Sequence, residues 1–265
     1  MMNKLYLLVL ALAVFSCKQA PNKEKAAAPV DEVVKMVDSD KYPTELNKVF
    51  EAHGGLKAWK SYKTLIFEMP KEGFNEVQTI DLHKRFDKIS TPANTIGYNG
   101  KEVWLLDKTG DYEGKPKFYH NLMFYFYAMP FVLSDDGIKY EEVDAMVYDG
   151  VSYPGYKISY NAGVGSSSTD EYYIHYDADT YQMKWLGYTM TYFSGEPSDK
   201  ISWINYAEWN KVDEVLLPKS ITWHKVEEGK VKEPAKTVNF ENASISTQAQ
   251  PKGFYSKPEN AVTVQ

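Results

Sequence analysis

Cysteine is almost missing from this chain: Cys17 is the one example among 265 residues. A disulfide framework needs thiols in pairs, and a cysteine-ligated zinc site needs several thiolates. The composition therefore excludes both. What is informative about Cys17 is its position close to the N-terminus.

Clusters of basic residues are missing as well. Lys and Arg number 30 against 36 Asp and Glu, which gives a net charge of -6 at pH 7. Binding to the phosphates of a nucleic acid depends on clustered cations that displace counterions. We therefore predict no nucleic-acid partner.

The spacings that mark common catalytic and metal sites are also missing. The five histidines show neither HxH nor HExxH spacing, and no GxSxG elbow accompanies the serines. The glycine- and serine-rich residues 163–169 lack the lysine of a phosphate-binding loop. We predict a non-catalytic protein without a metal ion or cofactor, and an enzyme is an alternative for which no catalyst can be named.

The chain has no apolar run of about 20 residues, the length that a membrane-spanning helix needs. Residues 5–15 form a shorter apolar run after a basic start, and Ser16 precedes Cys17. This order resembles a bacterial lipoprotein signal. We predict a signal peptide over 1–16, acylation of Cys17, a flexible tether over 17–41 and a β-domain over 42–265. The protein would then face the periplasm from the outer membrane; an ordinary secretory signal with an incidental Cys17 is the alternative.

Aromatic residues, in contrast, are abundant: 21 Tyr, 12 Phe and 6 Trp. Aromatic side chains pack well on a pleated sheet, so this share favours β-structure over a helical bundle. The predicted strands, read from apolar runs between turn residues, cover 64–69, 76–89, 95–98, 102–107, 142–148, 153–161, 171–176, 183–193, 200–209, 216–225 and 237–245. The links are too short for crossover helices, so neighbouring strands are expected to be antiparallel.

Local signals add detail to this pattern. Asn99-Gly100 is the strongest hairpin signal, residues 163–169 are a hairpin tip and residues 177–180 a tight turn. Before the strands, the spacing of Leu46, Val49 and Phe50 predicts a helix capped by Thr44 and ended by Gly54-Gly55. A second short helix should carry Trp59.

Residues 118–133 are apolar and aromatic except for His120 and Asn121. Interpreted as one helix, the stretch is apolar nearly all round, which is typical of a helix buried in a core or placed between a core and a ligand. It either fills the core, lines a cavity for an apolar ligand or covers a partner surface. The candidate ligand-binding residues are Leu122, Met123, Phe124, Tyr125, Phe126, Tyr127, Met129, Phe131 and Leu133.

Four segments resemble the LolA/LolB-like superfamily of lipoprotein carriers, especially its Bacteroidota lipoproteins: residues 46–56 with Trp59, 96–104, 173–185 and 212–222. The resemblance implies a mainly β (α+β) fold. Its core would be a single strongly curved antiparallel sheet, an incomplete barrel, with two or three helices closing the concave side. It also implies a protein that holds or accepts a lipid or acyl chain in an apolar cavity, which the predicted acylation of Cys17 would anchor to the membrane.

A second interpretation is a glycan-binding or structural cell-envelope lipoprotein with a filled core. Sugars stack on exposed indoles, and the candidates for such contacts are Trp104, Trp185, Trp203, Trp209 and Trp223. Two or three coplanar indoles on an open groove, without an internal cavity, would favour it.

Overall fold

The computed structural model describes residues 41–161, 170–192 and 194–264. The signal peptide, Cys17 and the tether up to residue 40 lie outside this part of the chain, as does the hairpin tip predicted at 163–169. No helix within these ranges is long and apolar enough to cross a bilayer.

Two short helices open the described chain, α1 (Thr44–Ala52) and α2 (Leu56–Ser61). The predicted apolar face of α1 is confirmed because Leu46, Val49 and Phe50 are all buried. The predicted cap is wrong: the N-cap position is Pro43, which has no capping side chain, and Thr44 is the first helical residue. Trp59 is buried on α2, as expected.

Most of the remaining chain is β-structure, and every strand pairing is antiparallel, as predicted. The strands are β1 (Thr64–Lys71), β2 (Phe74–Asp81), β3 (Asp87–Ser90), β4 (Asn94–Tyr98), β5 (Val103–Asp107), β6 (Ile138–Tyr148), β7 (Val151–Tyr160), β8 (Tyr172–Tyr176), β9 (Met183–Tyr188), β10 (Ser202–Asn205), β11 (Trp209–Val212), β12 (Val215–Pro218), β13 (Ser220–Glu227), β14 (Lys230–Asn239), β15 (Glu241–Ser246) and β16 (Val262–Thr263).

The prediction of a single sheet is wrong. A first seven-stranded sheet has the order β15-β1-β2-β3-β4-β5-β16, a second has the order β14-β13-β10-β9-β8-β7-β6, and β11 and β12 form a separate pair. The mainly β, antiparallel class is confirmed, with three sheets in place of one.

The two large sheets separate at Phe240, between β14 and β15. Its ring is buried, with its centroid 4.3 Å from that of Tyr127 and 5.7 Å from that of Phe67. Its backbone N–H donates to the carbonyl of Lys219. Burying this ring turns the chain inward, so β14 pairs with β13 while β15 pairs with β1.

A helical segment connects the two sheets between β5 and β6. It consists of α3 (Pro116–Tyr119), α4 (Leu122–Tyr127) and a 3-10 turn (Phe131–Ser134). Interpreting residues 118–133 as one helix is therefore wrong. Asn121 adopts the left-handed conformation with φ 59°, and Pro130 has no N–H to continue α4. The faces expected for a continuous helix do not exist.

The core lies between one face of each large sheet and the helices. The first sheet contributes Leu65, Phe67 and Ile80, the second Ile158, Ile174, Leu186, Ile204 and Ile221, and the helices Phe50, Trp59, Phe124 and Tyr127. Side chains alternate between the two faces of a strand, so residues two positions away from these share their face. On the second sheet, that rule leads to the candidate site.

Candidate functional site

A cavity of about 840 Å³ lies between the helical segment and the core-facing side of the second sheet. The sheet lines it with Tyr160, Tyr172, Tyr188, Trp223 and Val238. Tyr172 and Tyr188 are each two positions from a core residue, Ile174 and Leu186, and so continue the same face beyond the packed core. The cavity therefore extends from the core along one layer of side chains.

Four of the nine candidate residues line this cavity: Leu122, Met123, Tyr125 and Phe126, all on α4. The Phe126 ring centroid lies 5.3 Å from that of Tyr188 and 5.7 Å from that of Trp223. Helix and sheet thus form adjoining walls of the cavity.

The other five candidates, Phe124, Tyr127, Met129, Phe131 and Leu133, are buried in the core and do not line the cavity. Phe131 stacks on Trp59 with a centroid distance of 4.6 Å and an interplanar angle of 7°. Tyr127 lies 4.4 Å from Phe67, centroid to centroid. One part of the stretch 118–133 therefore packs in the core, and another part borders the cavity.

Hydrogen bonds fix these walls in place. The Tyr206 hydroxyl donates to the carbonyl of Phe126 over 2.8 Å, and the Trp223 indole N–H donates to the Tyr188 hydroxyl over 3.0 Å. Tyr206 is fully buried, so its bond holds α4 against the second sheet from inside the core. The cavity is preformed in the protein.

An ion pair lies at one part of the rim. Nη2 of Arg85 donates to both carboxylate oxygens of Asp135 over 2.6 and 2.8 Å, and the guanidinium stands 5.1 Å from the ring centroid of Phe124. Burial raises the pKa of Asp135, and the nearby Arg85 counteracts that rise. This pair links the β2–β3 turn to the end of the helical segment.

A buried carboxyl supports the start of α4. Asp87 has no exposed surface, and its Oδ2 accepts a 2.6 Å hydrogen bond from the backbone N–H of Asn121. Burial raises the pKa of Asp87 to about 7. Nδ1 of His120 lies 3.9 Å from the same oxygen, but burial lowers the pKa of this imidazole, which favours its neutral form. Asp87 does not line the cavity, so we assign it a supporting role.

Across residues 41–161, 170–192 and 194–264, no group of three His, Cys, Asp or Glu side chains lies close enough to hold a metal ion. His53 packs edge-on against Trp209, with 4.3 Å between the ring centroids. It hydrogen-bonds through Nδ1 to the carbonyl of Val49.

A larger groove of about 1140 Å³ lies on the opposite face of the second sheet. Of the five tryptophans considered for glycan binding, Trp203 lines it. The others lie elsewhere: Trp104 and Trp185 are buried, Trp209 stacks on Tyr206 and Trp223 lines the internal cavity. A coplanar set of indoles on an open groove is not found among the described residues.

The tyrosines of the second sheet are not among the predicted site residues. The signal was present, because large side chains occupy both faces of residues 171–176 and 183–193. That pattern indicates either two buried faces or one face on a cavity. The cavity side could be chosen only once the strand order was known.

No protein-family model matches this sequence, and no curated protein matches it. Among solved structures, the chain is similar to a DUF1329 family protein from Desulfovibrio piger, with 11% identity, 80% of this chain and 96% of that chain covered, and a TM-score of 0.47. A LolA superfamily protein from Nitrosomonas europaea shows 8% identity, coverage of 79% and 96%, and a TM-score of 0.44. A Vibrio parahaemolyticus domain named for outer membrane lipoprotein sorting shows 12% identity, coverage of 82% and 97%, and a TM-score of 0.41.

These neighbours include a protein of the superfamily that the sequence resembles. All three TM-scores are below 0.5 and no identity exceeds 12%, so no residue role, ligand or partner is carried over from them to this chain.

Proposed function

We propose that this protein binds a lipid or acyl chain in the cavity beside α4 and catalyses no reaction. The observation that carries this proposal is the cavity itself. Its volume of about 840 Å³ falls within the range of roughly 300 to 1,000 Å³ typical of small-molecule sites. Most of its lining residues are aromatic or aliphatic, and charged side chains border it as well.

Three methionines support an acyl ligand over a rigid one. Met69, Met123 and Met190 all line the cavity. An unbranched thioether adapts its conformation to a neighbour, which suits chains of different lengths. Each methylene taken out of water by such a wall contributes about 0.8 kcal/mol.

Blocking the cavity should abolish most of this binding. Leu122 is half-buried on the cavity wall, and in Leu122→Trp an indole would fill space that the ligand needs. We expect the affinity for the fluorescent fatty acid cis-parinaric acid to fall by about tenfold or more, equal to roughly 1.4 kcal/mol. Binding would be measured by fluorescence titration of the purified full-length chain.

Val151→Trp is the matched control, because Val151 is exposed on β7 and does not line the cavity. It should bind the probe as the wild type does. Thermal unfolding of both variants would show that the proteins are folded. Equal affinity of the wild type and a folded Leu122→Trp would place the ligand elsewhere, and absence of binding by the wild type would reject the proposed function.

The proposal includes a lipid anchor on Cys17 and a position at the outer membrane facing the periplasm. Its support is the sequence of residues 1–17, which reads as a lipoprotein signal. Several acyl chains on one residue would make the anchoring effectively permanent. Cys17→Ser should therefore be released from isolated membranes by a high-salt wash that leaves the wild type bound. Retention of this variant on the membrane would contradict the anchor.

A further inference from the structure

The cavity lining has a different charge balance from the chain as a whole. Five basic side chains line it, Lys71, Lys84, Arg85, Lys117 and Lys236, against three acidic ones, Asp135, Asp136 and Asp170. The whole sequence has the opposite balance, with 30 Lys and Arg against 36 Asp and Glu. Positive charge is therefore concentrated at this site in an acidic protein.

Each of the three carboxylates already has a partner within the protein. Asp135 accepts both hydrogen bonds of Arg85, and Asp136 forms an ion pair with Lys41. Asp170 accepts hydrogen bonds of 2.7 Å from both the backbone N–H and the hydroxyl of Thr191. None of these carboxylates pairs with a lysine of the cavity lining.

Three lysines of the lining have no acidic partner among the residues that the structure describes. Within the described part of the chain, Lys71 at the end of β1, Lys117 on α3 and Lys236 on β14 form no ion pair. The fourth lysine, Lys84, instead places its ammonium 5.6 Å from the ring centroid of Phe86.

We propose that the ligand is an anionic amphiphile whose carboxylate or phosphate lies at Lys71, Lys117 and Lys236. This inference rests on the proposed function and names the chemical class of its ligand. All three lysines are exposed residues that also line the cavity, so their methylene stems border apolar space while their ammonium groups reach water. An apolar chain with an anionic end matches both parts of that arrangement.

Three separate elements supply these lysines, and all three side chains border the same cavity. An ammonium is a compact charge on a flexible stem and suits a carboxylate or a phosphate without selecting one geometry. Each exposed charge pair contributes only a modest binding free energy, and salt screens it. The headgroup therefore adds selectivity, and the apolar chain supplies most of the affinity.

Oleate and oleyl alcohol test the inference because they share one acyl chain and differ in the charge of the headgroup. Displacement of cis-parinaric acid from the full-length protein, at mildly alkaline pH and low salt, should show oleate binding about tenfold tighter than oleyl alcohol. The triple variant Lys71→Gln, Lys117→Gln, Lys236→Gln should lose this preference and keep its affinity for oleyl alcohol. High salt should reduce the wild-type preference in the same direction.

The control triple variant is Lys101→Gln, Lys211→Gln, Lys252→Gln, which makes the same change in net charge at exposed lysines outside the cavity. It should keep the preference for oleate. If the preference survived in the first triple variant or vanished in the control, the three rim lysines would not be the headgroup site.

Two further comparisons separate the sources of the anion. Lysophosphatidic acid should bind more tightly than monoolein, and inorganic phosphate alone should not displace the probe, because the site needs the chain and the charge together. Displacement by phosphate alone would overturn the amphiphile in favour of a free anion. Equal binding of oleate and oleyl alcohol would reject this inference and keep the proposed function, whereas failure of both to bind would reject the proposed function.

Discussion

Gly54→Ala is expected to destabilise the protein by about 3 to 5 kcal/mol, more than a typical point substitution. Gly54 has φ 106°, a conformation that alanine rarely adopts. A Cβ atom there would lie 2.2 Å from the carbonyl oxygen of Glu214 and 2.8 Å from Cα of Val215. Both are backbone atoms, so no side-chain rotation can relieve the overlap.

The backbones approach closely here because α1 docks against β12. The N–H of Leu216 donates to the carbonyl of His53 over 2.8 Å, directly beside Gly54. Separating the two segments to make room for a methyl group would weaken this bond and disturb the packing of Phe50 in the core. The cost would therefore combine backbone strain with lost packing.

Gly73→Ala separates these two contributions. Gly73 has a similar positive φ of 81°, but a Cβ there would meet nothing within 4 Å. Gly73→Ala should lower the free energy of unfolding by about 1 kcal/mol, which is the contribution of backbone strain without any steric overlap. Urea denaturation of both variants and the wild type measures the difference. If both substitutions lowered the free energy of unfolding equally, the β12 backbone would be able to move away from Gly54 without losing stability, and α1 would not be docked tightly against β12.

The N-terminal helix and the hairpins could be predicted because their signals are local. Leu46, Val49 and Phe50 give a helical period, and Gly54-Gly55 ends the helix. Asn99-Gly100 correctly joins β4 to β5. Such elements depend on residues a few positions apart, and a sequence displays those relations directly.

Side-chain hydrogen bonds to the backbone were harder to predict. Residues 76–89 were predicted as one strand, but they form β2, a turn and β3. Oδ1 of Asp81 accepts from the N–H groups of His83 and Lys84, and Arg85 adopts φ 59°. Asp is a common turn residue for this reason, but a charged run between apolar residues also fits an exposed strand position.

The candidate site was predictable only where its residues lie close together in the sequence. The apolar stretch 118–133 contains α4, which borders the cavity, but face assignments from an unbroken helix failed because Asn121 and Pro130 interrupt it. The lysines Lys71, Lys117 and Lys236 come from three elements that are distant in the sequence. Only the fold brings them to one cavity, so no spacing in the sequence could have indicated them.

Asp87→Asn should raise the stability at neutral pH and change its dependence on pH. Asp87 has a pKa of about 7 in the folded protein against an ordinary value of 3.8. Between these two values the unfolded chain releases the proton while the folded protein keeps it. This group therefore stabilises the fold fully at low pH, and its contribution is lost as pH rises toward 7. Replacing the carboxyl by a neutral amide should therefore raise the free energy of unfolding by on the order of 3 kcal/mol above pH 7.

Buried His53 acts in the opposite direction over nearly the same range. Burial lowers its pKa from 6.5 to about 4, so the unfolded chain binds a proton first as the pH falls. Its contribution is complete above pH 6.5 and is lost as pH falls through about 4. In the wild type the two slopes should largely cancel. In Asp87→Asn the slope from His53 is no longer opposed by Asp87, and it should contribute a rise in stability of about 3 kcal/mol from pH 4 to 6.5. His120 and His175, whose pKa values burial also lowers, act in the same direction, and Asp135, whose pKa burial raises, acts against them.

Urea denaturation across this pH range measures both profiles, with Asp111→Asn as the control at an exposed carboxyl. The asparagine carbonyl at position 87 can still accept from the N–H of Asn121, so the start of α4 should be preserved. The ionisable groups near Asp87 include His120, Tyr125 and Tyr255, which are the same in wild type and variant. Parallel profiles for Asp87→Asn and the wild type would mean that the carboxyl is already ionised in the fold at low pH. Asp87 would then hold α4 as a charged acceptor, and its replacement should lower the stability and weaken lipid binding together.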